Sequence, residues 1–559
     1  MESNIKFSSA STAVELARDE AAWPSVKLAR RKGMLASLEW SVVATLAIFV
    51  VLGLGLRVYR LGDIGFAEDE MNKLDAVRAY ERGDITANAE HPMLMKALMF
   101  ASIETSNALQ KLTGTKLSDE FALRLPNAIF GALTVIPLFL LTAAYFDRWT
   151  GILTAGFWAF GVNAITMNRI GKEDTLLVFF TLFAFYFYVR AKQISPKDVA
   201  TRRRNYILSG ISFGLMLASK YFPHYFGLNA LFHHIFHVRK SEAGEASGKT
   251  PSIFYLMIPI AFLVANPAVL LPQVWEYLNA YMGERLLVHT GYLFGDQLYK
   301  NNMSSTPFWG TPVYFYLLFM AIKIPLLVLV SFVVGFLVSL KRWRHTGHAF
   351  VVFMFLFWIV PYSLIGGKWM RYTLSLMPFV YMLSAVGTVV LIRLAQARVK
   401  SKQLTAAVLA AGIVLFIAVP GWTAWASAPH YALYTNALAA GRAGYFFPHD
   451  EFYDDGLREA IQFVCQTAPP NAIVAHETPG VFRYYQEKFS RPDLQSYAIS
   501  AADFDPQKVS GAAYIIVQRG RTYFENRDKV NFVRSAFKKV HEVKIDGITA
   551  AEVFVKDAK

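Results

Sequence analysis

"WSVVATLAIFVVLGLGL", Trp40 to Leu56, carries no charge, and "GFAEDEMNKLDAVRAY", Gly65 to Tyr80, follows it closely with the carboxylates Glu68, Asp69, Glu70 and Asp75. An apolar run of this length is a membrane span, because a hydrocarbon core about 30 Å thick takes roughly twenty helical residues. Leu125–Phe146, Trp149–Asn168, Thr250–Trp275, His345–Gly367 and Tyr372–Ile392 repeat the pattern. The chain of 559 residues is 54% hydrophobic and 17% charged, below the roughly quarter typical of soluble domains. The expected fold is therefore a polytopic α-helical membrane protein.

Eleven spans are expected, near 38–58, 122–145, 150–168, 175–190, 205–219, 222–238, 253–272, 312–340, 348–366, 372–392 and 404–426. With a cytoplasmic N-terminal tail (1–37), the inside loops hold 17 lysines and arginines and the short outside connections hold 7. That asymmetry has the sign of the positive-inside rule. It also accounts for the net charge of +15 without nucleic acid as a partner. The single cysteine, Cys465, excludes an intramolecular disulfide and cysteine-rich metal sites. The tail lacks the short apolar core of a cleavable signal peptide, so the first span reads as an uncleaved anchor.

"HPMLMKALMFASIETSNALQKL", His91 to Leu112, is apolar on one face only and reads as an interfacial helix. The membrane domain extends over 38–427, with outer loops at 59–121 and 273–311. Residues 428–559 hold 16 basic and 16 acidic residues and no span. "DDGLREAIQFVCQTA" has helical spacing, whereas "NAIVAH", "AAYIIVQ" and "AAEVFVK" read as strands, giving a small extracytoplasmic α/β domain.

Charged groups gather on the outer face. Asp69 and Glu70 follow the first span; Glu90, His91 and Lys96 open the interfacial helix. Arg169, Lys172, Glu173 and Asp174 lie between the third and fourth spans. Arg285, His289 and Asp296 precede the eighth, Lys323 lies within it, and Lys368, Arg371 and Tyr372 separate the ninth from the tenth. A single acid here is ordinarily a solvated loop residue, and a single cation an interfacial anchor. Carboxylates and cations converging from five segments at a membrane mouth point instead to function. Such a set suits a sugar carried on a lipid phosphate: cations bind the anionic leaving group, and one carboxylate accepts the proton of the attacking hydroxyl. A transporter or lipid flippase also needs such charges, but the paired repeats of transporters are not evident.

The ordered set "DE" after the first span, "EHPMLMK", "ALRLPNAIFGALTVIPL", "NRIGKEDTLLVFF", "VHTGYLFGD", "PFWGTPVYFYLLFMAIKIP" and "GGKWMRYTLSLMPF" resembles the GT-C membrane glycosyltransferases. It is most similar to the protein O-mannosyltransferases and their bacterial relatives, which include the lipid A aminoarabinose transferase. The resemblance covers roughly 38–395. It implies a polyprenyl-phosphate sugar as donor, a protein Ser/Thr, lipid A or another envelope glycan as acceptor, and inversion at the anomeric carbon. Asp69 then matches the catalytic base, with Glu70 beside it. Glu90 matches an active-site acid, and "EHPMLMK" matches H-P-P-L-G-K, with Met93 and Met95 replacing Pro and Gly. His91 stands where the lipid A enzyme has Lys. Asp174 matches an outer-loop acid, Arg285 or His289 a phosphate contact, and Lys368 with Tyr372 the Lys-x-x-x-Tyr that approaches the lipid phosphate. No cofactor is expected; Asp69 and Asp174 are a pair that could share a divalent ion, but the sequence offers no clear ligand cage and no metal is expected. The resemblance implies a bacterial inner membrane with the C-terminal domain on the periplasmic side.

Overall fold

The computed structural model describes residues 39–241, 249–282, 291–302, 306, 308–399, 401–509 and 511–556. Among them, six helices are long and apolar enough to cross a membrane: Trp40–Val58, Asp119–Tyr145, Asp174–Gln193, Thr346–Leu364, Met377–Gln396 and Lys402–Ala426. Arg148–Phe160 and Val162–Asn168, bent by 54°, make a seventh when taken as one span. The four other expected spans hold helices that are shorter or more polar. These are Val199–Ser219, which carries three consecutive arginines, His224–Ser241, Ser252–Ala265 and Leu326–Lys341. The chain is an integral membrane protein, and the count of eleven rests on including these four.

Two spans are broken, and in both a polar side chain takes up the freed backbone groups. At the 160/162 bend, the buried Arg57 donates to the carbonyls of Trp158 (3.1 Å) and Ala159 (3.0 Å) and to Asn168 Oδ1 (3.0 Å). A guanidinium can stay inside a span only when its donors are satisfied in this way. The expected continuous span 312–340 is instead Phe315–Lys323 and Leu326–Lys341, because Pro325 cannot donate to the helix ladder. Asn436 closes the gap, giving its Nδ2 to Ala321 O and Ile324 O, both at 2.7 Å.

Helix packing follows the membrane rule that small residues let backbones touch, since lipid provides no hydrophobic drive between helices. A Cβ on Gly335 would lie 1.8 Å from the Leu383 carbonyl oxygen, and one on Gly387 1.9 Å from that of Ser331. Helices 326–341 and 377–396 therefore cross in contact, which holds the loop 365–376 in place.

Outside the spans, residues 291–300 form a hairpin of β1 (Gly291–Phe294) and β2 (Gln297–Lys300). The C-terminal sheet comprises β3 (Ile473–His476), β4 (Gln495–Ala498), β5 (Ala513–Gln518), β6 (Lys538–Ile545) and β7 (Ile548–Lys556), in the order β4-β3-β5-β7-β6. β3 runs parallel to β4 and β5; β7 is antiparallel to β5 and β6. Every residue of β5 is buried, as a strand covered on both faces requires. Val474 and Ile516 face helix Leu457–Thr467, whereas Ala475, Ile515 and Val517 face helix Arg527–Ala536, the two-residue alternation of a strand. The domain does not stand apart. Leu457, Ile461, Phe482 and Tyr485 share one apolar core with Phe66 and with Met71, Leu74, Met95 and Met99 of the helices 68–81 and 93–113.

Candidate active site

The helix Glu68–Glu81 starts with three acids, which sit favourably at the positive end of a helix. Glu70 reaches back to the Ala67 N–H at 3.0 Å and so sets where the helix begins. This start fixes Asp69 at the first turn. Asp69 Oδ2 accepts the Tyr453 hydroxyl at 2.6 Å and Arg371 Nη1 at 2.8 Å, and lies 2.9 Å from Lys172 Nζ. Oδ1 has no protein partner among the described residues, and the side chain is 29% exposed. Burial works against the charge, but Lys172 and Arg371 outweigh it and hold the carboxyl well below the usual range. Arg371 also lies over the rings of Trp369 (5.2 Å) and Tyr372 (5.7 Å), whose faces attract the cation.

Beside this group lies a second, more deeply buried one. Glu173 pairs with Lys73 Nζ at 2.6 Å and meets His91 Nε2 at 3.8 Å. Burial opposes the Glu173 charge, and the adjacent cations still hold it well below its ordinary range. Burial drives the His91 pKa well below its ordinary value; the Glu173 carboxylate opposes this, and Lys73, Lys172 and Lys220 add to it. Asp174 pairs with Lys220 Nζ at 2.6 Å, and that ammonium lies 5.3 Å from the Tyr372 ring centre. Lys172, Glu173 and Asp174 are consecutive, so one short loop feeds all three ion pairs.

The third component comes from the linker to the C-terminal domain. In "PHDEFYDD", Pro448–Asp455, successive side chains lock onto the membrane domain and the sheet. Asp450 accepts from Tyr292, Glu451 pairs with Lys323, Tyr453 donates to Asp69, and Asp455 pairs with His430 at 2.6 Å. Asp454 pairs with Arg521 (2.5 Å), whose other arm reaches Glu68 at 2.6 Å.

The family model described as dolichyl-phosphate-mannose-protein mannosyltransferase matches residues 107–272, which carry Lys172, Glu173, Asp174 and Lys220. The apo crystal structure of ArnT from Cupriavidus metallidurans is similar with a TM-score of 0.51 at 12% identity, covering 92% of this chain and 98% of that one. The same protein bound to undecaprenyl phosphate gives 0.50 at 13% identity, with 91% and 97% covered. No curated protein sequence matches. The chain has the fold of the GT-C membrane glycosyltransferases, and its residues 107–272 are similar to the O-mannosyltransferases. The transporter or flippase reading is not favoured by these matches.

The expected residues take different places in the structure. Asp69, Arg371, Tyr372, Asp174 and His91 all belong to the clusters above. Glu70, expected beside Asp69 in catalysis, is 1% exposed and closed by Arg124 (2.5 and 2.7 Å), the Gly171 N–H (2.8 Å) and the Ala67 N–H. Both its oxygens are engaged, so it pins the loop 169–173 to the helix start and has no oxygen free for substrate. Lys96, expected at the substrate, spends its three donors on the carbonyls of Ala87 (3.0 Å), Asn88 (2.6 Å) and His91 (2.9 Å). It shapes the loop that presents Glu90 and His91. Glu90 accepts from Asn88 Nδ2 and faces the helix Pro272–Met282, where burial and the Glu90 charge push the Tyr277 phenol up. Lys368 is 1% exposed and donates to Thr311 O (2.6 Å) and Ile365 O, and burial lowers its pKa to about 8. Those bonds tie the loop 365–376 to residue 311. Arg285 and His289 lie outside the described residues.

Sequence reasoning overlooked Lys73, Lys220 and Tyr453 and left Lys172 and Glu173 out of its site. Lys73 was legible: it stands four residues after Asp69, on the same helical face. Lys220 follows a span directly and precedes "YFPHYF", as Lys368 precedes "WMRY". Tyr453 had only the acid-rich "DEFYDD" as a signal. Among the described residues no three His, Cys, Asp or Glu side chains gather as a metal site.

Proposed function

We propose that the chain transfers a sugar from a polyprenyl-phosphate donor to a hydroxyl or phosphate acceptor on the outer face of a bacterial inner membrane, with inversion. The observation that carries this reading is the Asp69 carboxylate, which shares one oxygen between Lys172 and Arg371 and leaves the other open. The undecaprenyl phosphate bound by the similar ArnT supports the donor class. Protein Ser/Thr and lipid A or a related envelope glycan are the acceptor classes.

In this reading the donor phosphate enters beside Arg371, Lys172 and Lys220, and its charge takes over part of their attraction to Asp69. Asp69, too weak a base while both cations face it, regains basicity as they turn to the phosphate. The acceptor O–H then gives its proton to Asp69 Oδ1 while its oxygen bonds to the anomeric carbon. The anomeric carbon–phosphate oxygen bond breaks, and its electron pair leaves on the polyprenyl phosphate, stabilised by the same cations. One displacement at one face inverts the carbon. Because phosphate departs without a proton, no general acid is required, and the positive charge comes from lysine and arginine with no metal called for.

Purified protein with a radiolabelled polyprenyl-phosphate sugar and an envelope extract tests the reading. Label should move to a protein or lipid fraction and yield the opposite anomer; no transfer from any such donor would remove the proposal.

A further inference from the structure

We infer that Tyr453, carried by the C-terminal domain's linker, is a positioning residue for the catalytic base: it fixes the Asp69 carboxylate so that Oδ1 alone faces the acceptor. The inference rests on the reading of Asp69 as the base.

Three observations carry it. The Tyr453 hydroxyl donates to Asp69 Oδ2 at 2.6 Å, from a residue 384 positions away. Lys172 and Arg371 approach the same oxygen, so all three donors anchor one end of the carboxylate. Held by two flexible cations alone, the carboxylate would be free to rotate once a phosphate drew them off. The phenol is rigid and neutral, so an arriving anion draws on it less than on the two cations. Of the three donors it is the one best suited to keep its hold on Asp69 as the phosphate binds.

The backbone at this point is set for the task. Tyr453 and Asp454 both adopt left-handed conformations, φ 44° and 66°. Two successive non-glycine residues there cost energy and persist only when their surroundings impose them. Here Asp454 is held by Arg521 (2.5 and 2.7 Å), Gln518 (2.9 Å) and the Glu68 N–H (3.0 Å). Glu451, two residues before Tyr453, is held by Lys323. The sheet domain, through Arg521 and Gln518 at the end of β5, thus sets the direction of the Tyr453 side chain. The C-terminal domain acts on the chemistry by this route.

The test is Tyr453→Phe in the full-length enzyme, with kcat and both KM values measured beside the thermal midpoint. A hydrogen bond to a charged group is at stake, so kcat should fall about tenfold to a hundredfold, with donor and acceptor KM unchanged within about twofold. The Phe enzyme should melt within a few degrees of the parent. Should it fail to fold, 3,5-difluorotyrosine at 453 keeps shape and donor: kcat held within about threefold supports the inference, and a loss as deep as that of an Asp69→Asn enzyme opposes it. Wild-type kcat in Tyr453→Phe, or a loss confined to KM, overturns it. The two readings fail separately: turnover by Asp69→Asn removes the base itself, whereas a dead Asp69→Asn with an unimpaired Tyr453→Phe removes only the role of the tyrosine.

Discussion

Lys73 and Glu173, from two segments far apart in the chain, form an ion pair at 2.6 Å with each side chain 1% exposed. Removing one partner of such a pair leaves an uncompensated buried charge. Lys73→Met should therefore destabilise the protein by roughly 3–5 kcal/mol, seen as a lower thermal midpoint in detergent. The double variant with Glu173→Gln should recover much of the loss. A double variant as unstable as the single one would show that the pair does not act as a unit.

Asp69→Asn should lower transfer by at least about a hundredfold, the usual contribution of a general base. The variant should still fold and insert, since Asn keeps the shape of the side chain at a position that is 29% exposed. Mass spectrometry of envelope proteins and lipids, with and without the substitution, reads both the loss and the acceptor class. Normal turnover by the Asn enzyme would refute Asp69 as the base.

Arg371→Ala has two separable effects. Donor KM should rise about tenfold or more, as a phosphate contact is lost. The pH dependence should change as well, with a definite sign. Arg371 helps hold the Asp69 pKa well below the ordinary range, so the parent enzyme keeps Asp69 ionised throughout the working pH range. Without Arg371 that pKa rises, and the acidic limb of kcat/KM moves to higher pH. A limb that stays put or moves to lower pH would contradict this pairing.

Lys368→Met should act on stability. Thr311 O and Ile365 O lose their donor in a buried place, a cost of about 1–3 kcal/mol. Donor and acceptor KM should change together by less than about threefold in enzyme that remains folded. A selective rise in donor KM would return Lys368 to the phosphate, as "GGKWMRY" suggested.

Much of the architecture was legible because membrane spans announce themselves locally. Uncharged runs such as Trp40–Leu56 have no soluble alternative, and the strands at 473–476, 513–518 and 548–556 alternate or bury as their residue types require. Where the sequence misled, a distant partner was involved. The 312–340 run looks continuous until Pro325 and Asn436 are seen together. Glu70 and Lys96 read as site residues because their charges sit in the right loops, but Arg124 and three carbonyls consume them.

Hydropathy and residue pattern are enough to read a polytopic membrane protein with a charged rim on one face and a small α/β domain after the last span. They also put Asp69 and Arg371 on the same side of the membrane. Which of those charges meet, and that Tyr453 joins them, emerges only in the folded chain. The difference is one of range. Hydropathy and periodicity act over a few turns of chain, whereas an ion pair is satisfied by whichever partner the fold brings within about 3 Å, here up to 384 residues away.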